Sequence, residues 1–317
     1  MKNSFFTHLS LKRSSLLILL LFLLSLTLFK VYAQDSIQSG CDLYARNCPV
    51  HQSSACYGDY LVMVPRMVSS MSLYNLKSKE LLCTLEMQPW TERRGGRDVF
   101  HANNSSFGLQ KFNESDPFPL LYVSHRENND RRGVLQVYRV LPLKSKNDSL
   151  DYDSLNVSLV QTIYYPRMTD ENALGSPWTV IDQENNCMYT YSRNNRKTAA
   201  NKGKCRISKF NIPSVGERSE VYLSDEDILD SYEVDFKALR SQGACIHNGK
   251  MYIAQGISPK TYLWLRVIDL NEKKLVNTID LKEAGFPTEP EGCFIFENHI
   301  MLSTSTKKIF RINIPIE

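Results

Sequence analysis

Five times along this chain the same order of short strands returns. A chain built that way either arranges its sheets radially or leaves their edges open. Each unit begins with a polar or Gly-containing entry and an apolar strand. A tight turn, a strand of the form apolar-Tyr-apolar, a third strand and usually a fourth follow. The clearest copy starts at Gln242-Gly243 and runs through Ala244-Cys245-Ile246, a turn at His247-Asn248-Gly249-Lys250, Met251-Tyr252-Ile253-Ala254, Leu263 to Ile268 and Leu275 to Ile279. Asn-Gly suits a hairpin because both positions tolerate positive φ.

The next copy opens on Glu289-Pro290-Glu291-Gly292 and continues through Cys293-Phe294-Ile295-Phe296, Ile300 to Ser303 and Ile309 to Ile312. Earlier copies centre on Trp178 to Ile181 with Cys187-Met188-Tyr189-Thr190, and on His101-Ala102-Asn103 with Leu121-Tyr122-Val123. The first centres on Cys56-Tyr57 with Tyr60 to Met63. These units predict an all-β chain, a five-bladed β-propeller spanning residues 34–317, with Ala244-Cys245-Ile246 and Cys293-Phe294-Ile295 among its innermost strands. A β-sandwich is the alternative. The last unit lacks a fourth strand. The segment from Gln34 to Val50 is the one to supply it, although Gly40 and Pro49 make it a poor strand.

Residues 1–33 are of another kind. Lys2, Lys12 and Arg13 precede an apolar run from Ser14 to Phe29, and Val31-Tyr32-Ala33 places small residues before Gln34. That is the pattern of a cleaved signal peptide, and the run is shorter than the roughly 20 residues of a spanning helix. The expectation is an exported protein, periplasmic, cell-surface or secreted, touching a membrane only through this targeting segment. The chain holds 38 Lys and Arg against 34 Asp and Glu. Four of the basic residues and none of the acidic ones lie before residue 34, so the remainder balances at 34 to 34. Nothing in that balance points to nucleic acid.

All eight cysteines fall after residue 33, an even number in a chain expected to be exported. Cys41, Cys48 and Cys56 cluster as candidates for a local bridge, while Cys245 and Cys293, in apolar strands, read as buried thiols. No Cys/His spacing suggests structural zinc, and no GxSxG, HExxH or P-loop sequence occurs. Asn103, Asn104, Asn113, Asn147 and Asn156 head Asn-x-Ser triplets, which matter where the source glycosylates them.

In an up-and-down blade the entries to all inner strands share one face. That face gathers His101, Asn103, Trp178, Gln242, Glu289 and Glu291 as the candidate ligand-binding set. Most long loops, carrying Arg93, Arg94, Arg97, Arg126, Arg131, Arg132, Arg193, Arg196 and Lys197, are placed there too, opposed by acidic residues between Ser224 and Asp235. That acidic stretch lacks the glycine of an EF-hand and reads as a loop or short helix capped by Ser224. Glu289 and Glu291, two residues apart, could share a divalent ion or do acid/base work. Otherwise no cofactor is implied. The bland reading is that Glu291 only bonds channel backbone or water.

The entries His101-Ala102-Asn103, Gln242-Gly243-Ala244 and Glu289-Pro290-Glu291-Gly292, each leading to a turn and an apolar-Tyr-apolar strand, resemble those of exported bacterial five-bladed propellers. Receptor-binding propellers of phage tails and teichoic-acid-associated propellers are among these. The resemblance implies a non-catalytic module that binds a glycan or an anionic cell-envelope polymer. The Glu-Gly entries also look like those of glutaminyl cyclotransferase and gluconolactonase propellers. That likeness implies a channel-site enzyme, a metal-dependent hydrolase or a cyclotransferase, using Glu289, Glu291 and His101. A purely structural, partner-binding propeller is the third reading.

Overall fold

The computed structural model describes residues 40–49, 51–66, 68–86, 101–125, 132–144, 152–169, 177–193, 203–216, 218–257 and 262–314, with the backbone of Arg93–Arg94 and Arg97–Asp98. The signal-peptide expectation for 1–33 lies outside them. No helix among the described residues is long and apolar enough to cross a membrane.

The fold is a five-bladed β-propeller. Blade 1 runs outward through Ser53–Tyr57, Tyr60–Val64, Ser70–Asn75 and Glu80–Glu86. Blade 2 comprises Asn104–Phe107, Leu121–His125, Val134–Lys144 and Tyr152–Tyr164. Glu220–Tyr222 adds to its outer edge in parallel. Blade 3 is Trp178–Asp182, Cys187–Arg193, Lys204–Asn211 and Asp230–Lys237, and blade 4 is Ser241–His247, Lys250–Gln255, Trp264–Asp269 and Lys274–Asp280. Blade 5 has Pro290–Phe296, His299–Thr304 and Lys308–Asn313, and Gly40–Arg46 pairs antiparallel with the last of these as its fourth strand. The weak N-terminal segment therefore does close the ring, with an irregular register between Leu43 and Ala45.

The apolar-Tyr-apolar strands are explained by their position. A second strand is sandwiched between two neighbouring blades, so both of its faces need apolar side chains. In blade 4, Met251 and Ile253 pack toward blade 3 while Tyr252 and Ala254 pack toward blade 5. In blade 5, Ile300 and Leu302 face blade 4, and Met301 faces blade 1. In blade 1, Leu61 and Met63 face blade 5, and Val62 and Val64 face blade 2. The core is thus a cycle of inter-blade clusters rather than one central mass, and the inner strands touch in the same cyclic order. A sandwich of two stacked sheets is excluded. Asn248-Gly249 and Glu297-Asn298 take positive φ in the tight hairpins of blades 4 and 5.

The acidic stretch needs correcting. Asp230–Lys237 is the outer strand of blade 3, not a loop, so Asp225, Glu226 and Asp227 lie in the connection between third and fourth strands, away from the inner-strand entries. An outer strand faces solvent on much of its surface, and only Val234 and Phe236 of this one are buried, which disguised it. Asp225–Asp227 form a 3-10 turn in which the Ser224 N–H and hydroxyl donate to the Asp227 carboxylate at 2.7 and 2.9 Å.

Candidate functional site

At the entry end of the inner strands, side chains from separate blades meet. Two bulges help to aim them. The pairing of the first two strands is irregular between Ser241 and Ala244 in blade 4 and between Pro290 and Gly292 in blade 5. Such irregularities re-aim side chains locally. Gln242 lies within the first and Glu291 within the second. Close approach of the two blades depends on Gly243, where a Cβ would stand 2.6 Å from the Cys293 amide nitrogen.

Gln242 Nε2 donates to Glu289 Oε1 at 2.8 Å, and Gln52 Nε2, from the entry to blade 1, donates to Glu291 Oε2. Glu291 is 5% exposed. Burial, with the Glu289 carboxylate adding to it and the Gln52 bond opposing, pushes its pKa up to about 8. Burial also raises Glu289. A neighbouring carboxylate in a partly desolvated site adds to the effect of burial on a carboxyl's proton affinity. Burial therefore favours the protonated form of Glu291.

Trp178 stacks on Tyr191, its cross-strand partner, with ring centroids 5.6 Å apart and planes 19° from parallel. The Tyr191 hydroxyl donates to the Gln242 carbonyl at 2.6 Å. A hydrogen-bonded line thus runs from the Trp178/Tyr191 shelf through Gln242 to Glu289, with Glu291 and Gln52 beside it.

His101 and Asn103 occupy the entry of blade 2. His101 Nδ1 accepts from Arg66 Nε at 2.9 Å. The amide nitrogen of Asn103 is buried without a hydrogen-bond partner among the described residues. Nearby His125 is fully enclosed, and burial pulls it down to about 3. Of the loop cations, Arg132 donates to the Tyr165 and Leu223 carbonyls at 2.9 and 3.3 Å. The side chains of Arg93, Arg94, Arg97, Arg126, Arg131, Arg193, Arg196 and Lys197 lie outside the described ones.

Sequence reasoning missed Gln52, Tyr191 and Asn104. Gln52 precedes Ser53-Ser54-Ala55 as Gln242 precedes Gly243-Ala244-Cys245, so aligning blade 1 on its inner strand finds it. Asn104 sits deeper, fully buried. It donates to the carbonyls of Thr179 (2.8 Å) and Ala244 (3.2 Å), and accepts from the Ala244 N–H (3.1 Å). It bolts blades 2, 3 and 4 together. Beyond it the channel holds a cavity of about 100 Å³ lined by Ser54, Ser105, Cys245 and Cys293 among others. That is small beside the roughly 300–1,000 Å³ of typical ligand pockets.

Among the described residues no three His, Cys, Asp or Glu side chains converge as metal ligands. Two carboxylates whose oxygens already take amide N–H bonds do not fit a calcium-type ion, which takes six to eight oxygens.

No family model matches the chain, and no curated protein matches it in sequence. Among solved structures it is similar to Myxococcus xanthus glutaminyl cyclase, at 12% identity and a TM-score of 0.47 over 86% of this chain and 93% of that one. It is also similar to a putative oxidoreductase (glucose dehydrogenase) of Thermus thermophilus, at 11% identity and a TM-score of 0.48 over 86% and 99% of the two chains. At these levels neither protein's activity passes to this chain.

Proposed function

We propose that the channel mouth is an acid/base site and that the protein is an enzyme acting on a small carbonyl compound, an amide or a lactone. The observation that carries this is Glu291, a buried carboxyl whose proton affinity is raised by that burial and by a second carboxyl beside it. A group that titrates near the working pH is suited to giving and taking a proton in the transition state. In this reading Glu291 carries the proton, and Gln52 and Gln242 orient the two carboxyls. The half-exposed Trp178 face seats the substrate. No metal is assigned a step.

The test is turnover of glutaminyl peptides and of sugar lactones by the purified protein, with and without a chelator. Wild type is expected to turn over one class, with a limb near pH 8 in its kcat/KM profile. Glu291→Gln should lose at least about a hundredfold, the size of a general acid/base contribution. Absence of turnover in both classes overturns the reading.

A second reading rests on the Trp178/Tyr191 stack. A flat aromatic surface at the mouth suits a sugar ring, so the site would bind a glycan or an anionic envelope polymer such as a teichoic acid without catalysis. Calorimetric binding of such a polymer, lost in Trp178→Ala and kept in Glu291→Gln, would favour it.

A further inference from the structure

We propose that Cys245 and Cys293 form a disulfide that staples the inner strands of blades 4 and 5. Their sulfurs are in contact at 3.4 Å, and both side chains are buried. They stand on neighbouring inner strands, three residues after Gln242 and two after Glu291. A bridge requires the two backbones to lie within about 4.4–6.8 Å at Cα. Gly243 independently provides for that approach, because any side chain there would strike the backbone at Gly292 and Cys293.

The cysteines expected to bridge locally are engaged otherwise. The Cys48 thiol points to the Arg46 carbonyl at 4.0 Å and that of Cys56 to the Gly58 carbonyl at 3.5 Å, while Cys41 lies in the strand that closes blade 5. The two paired sulfurs also line the small channel cavity.

The co-reactant is a low-molecular-weight disulfide such as oxidised glutathione, met in the oxidising compartment toward which residues 1–33 point. Cys245 is the more exposed of the pair, 9% against 1%. Its thiolate attacks one glutathione sulfur and expels the other as thiolate. Cys293 then loses its proton and attacks the Cys245 sulfur of the mixed disulfide, expelling the second glutathione. Two protein thiols are oxidised, one glutathione disulfide is reduced, and the two glutathione thiolates take up the two protons. The bridge would hold the Gln242 and Glu289/Glu291 entries in fixed relation, whatever chemistry those residues perform.

The experiment is to refold the full chain against oxidised and reduced glutathione, digest it without reduction and map its peptides. A peptide joining Cys245 to Cys293, two hydrogens lighter than its parts, is expected. The thermal midpoint should stand about 5–10 °C above that of the dithiothreitol-treated protein. Cys293→Ser should abolish both effects, and should that variant fail to fold, the wild-type map decides alone. Free Cys245 and Cys293 after oxidative refolding, mixed glutathione adducts only, or either residue bridged elsewhere would overturn the proposal. A bridge that leaves the midpoint unmoved would overturn its role as a staple.

Discussion

The mouth of the channel and its waist are built from the same five inner strands, a few residues apart, yet they join the blades by different chemistry. At the mouth the joints are long side chains that titrate or donate: Gln52 to Glu291, Gln242 to Glu289, Tyr191 to the Gln242 carbonyl. At the waist they are short and neutral. Ser54 and Ser303 hydroxyls lie 3.1 Å apart, Asn104 bonds two backbones, and Gly243 lets blade 4 rest on blade 5. The waist joins blades 2, 3 and 4 through Asn104 and blades 4 and 5 through Gly243, which is a structural task. The mouth buries a carboxyl whose proton affinity is raised, and the proposed acid/base role rests on that arrangement.

The largest effect that tests this division is in pH. Below 4.5 both folded and unfolded chains hold the Glu291 proton. Between 4.5 and about 8 only the folded chain does, so its stability falls as pH rises through that window and levels above it. The expected loss from pH 5 to 8 is on the order of 3 kcal/mol. Glu291→Gln, which mimics the protonated form, should flatten that part of the profile in urea titrations. A wild-type profile already flat there would remove the distinction between mouth and waist.

Next in size is Asn104→Ala. It strands the Ala244 N–H and two carbonyls in a buried site and should cost about 2 kcal/mol by urea unfolding, while leaving the pH slope of the Glu291 window intact. A change in that slope would mean the two regions are coupled. The smallest effect is expected from Tyr191→Phe, which leaves the Gln242 carbonyl without its donor at a cost of about 1 kcal/mol. If Gln242 is positioned through that bond, the variant should also shift the Glu291 titration measured by carboxyl carbon NMR. A purely structural tyrosine would cost stability and leave the titration where it was.

The blade count was legible because second strands are covered on both sides. Runs such as Met251-Tyr252-Ile253-Ala254 therefore stand out from their polar flanks. Outer strands face water on one side and lose that signal, as Asp230–Lys237 did with its buried Val234 and Phe236 among exposed neighbours. The mouth was legible in part. Gln242, Glu289 and Glu291 come together because they occupy equivalent entries, but His101 follows Arg66 instead, a partner 35 residues away that no local pattern announces. The sulfur pair was hidden for a similar reason. Cys245 and Cys293 are 48 residues apart and become neighbours only when the ring forms.

The strand Gly40–Arg46 completes a sheet whose other members lie at the far end of the chain. As the polypeptide is made, this strand emerges long before its partner Lys308–Asn313. The circle cannot be shut by any partial product, and contacts of such long sequence separation form slowly. For most of its synthesis the chain holds an unpaired strand at one end and an open, sticky blade at the other. Closure of the ring is therefore a late step in folding, and until then the Gly40–Arg46 strand lacks its sheet partner.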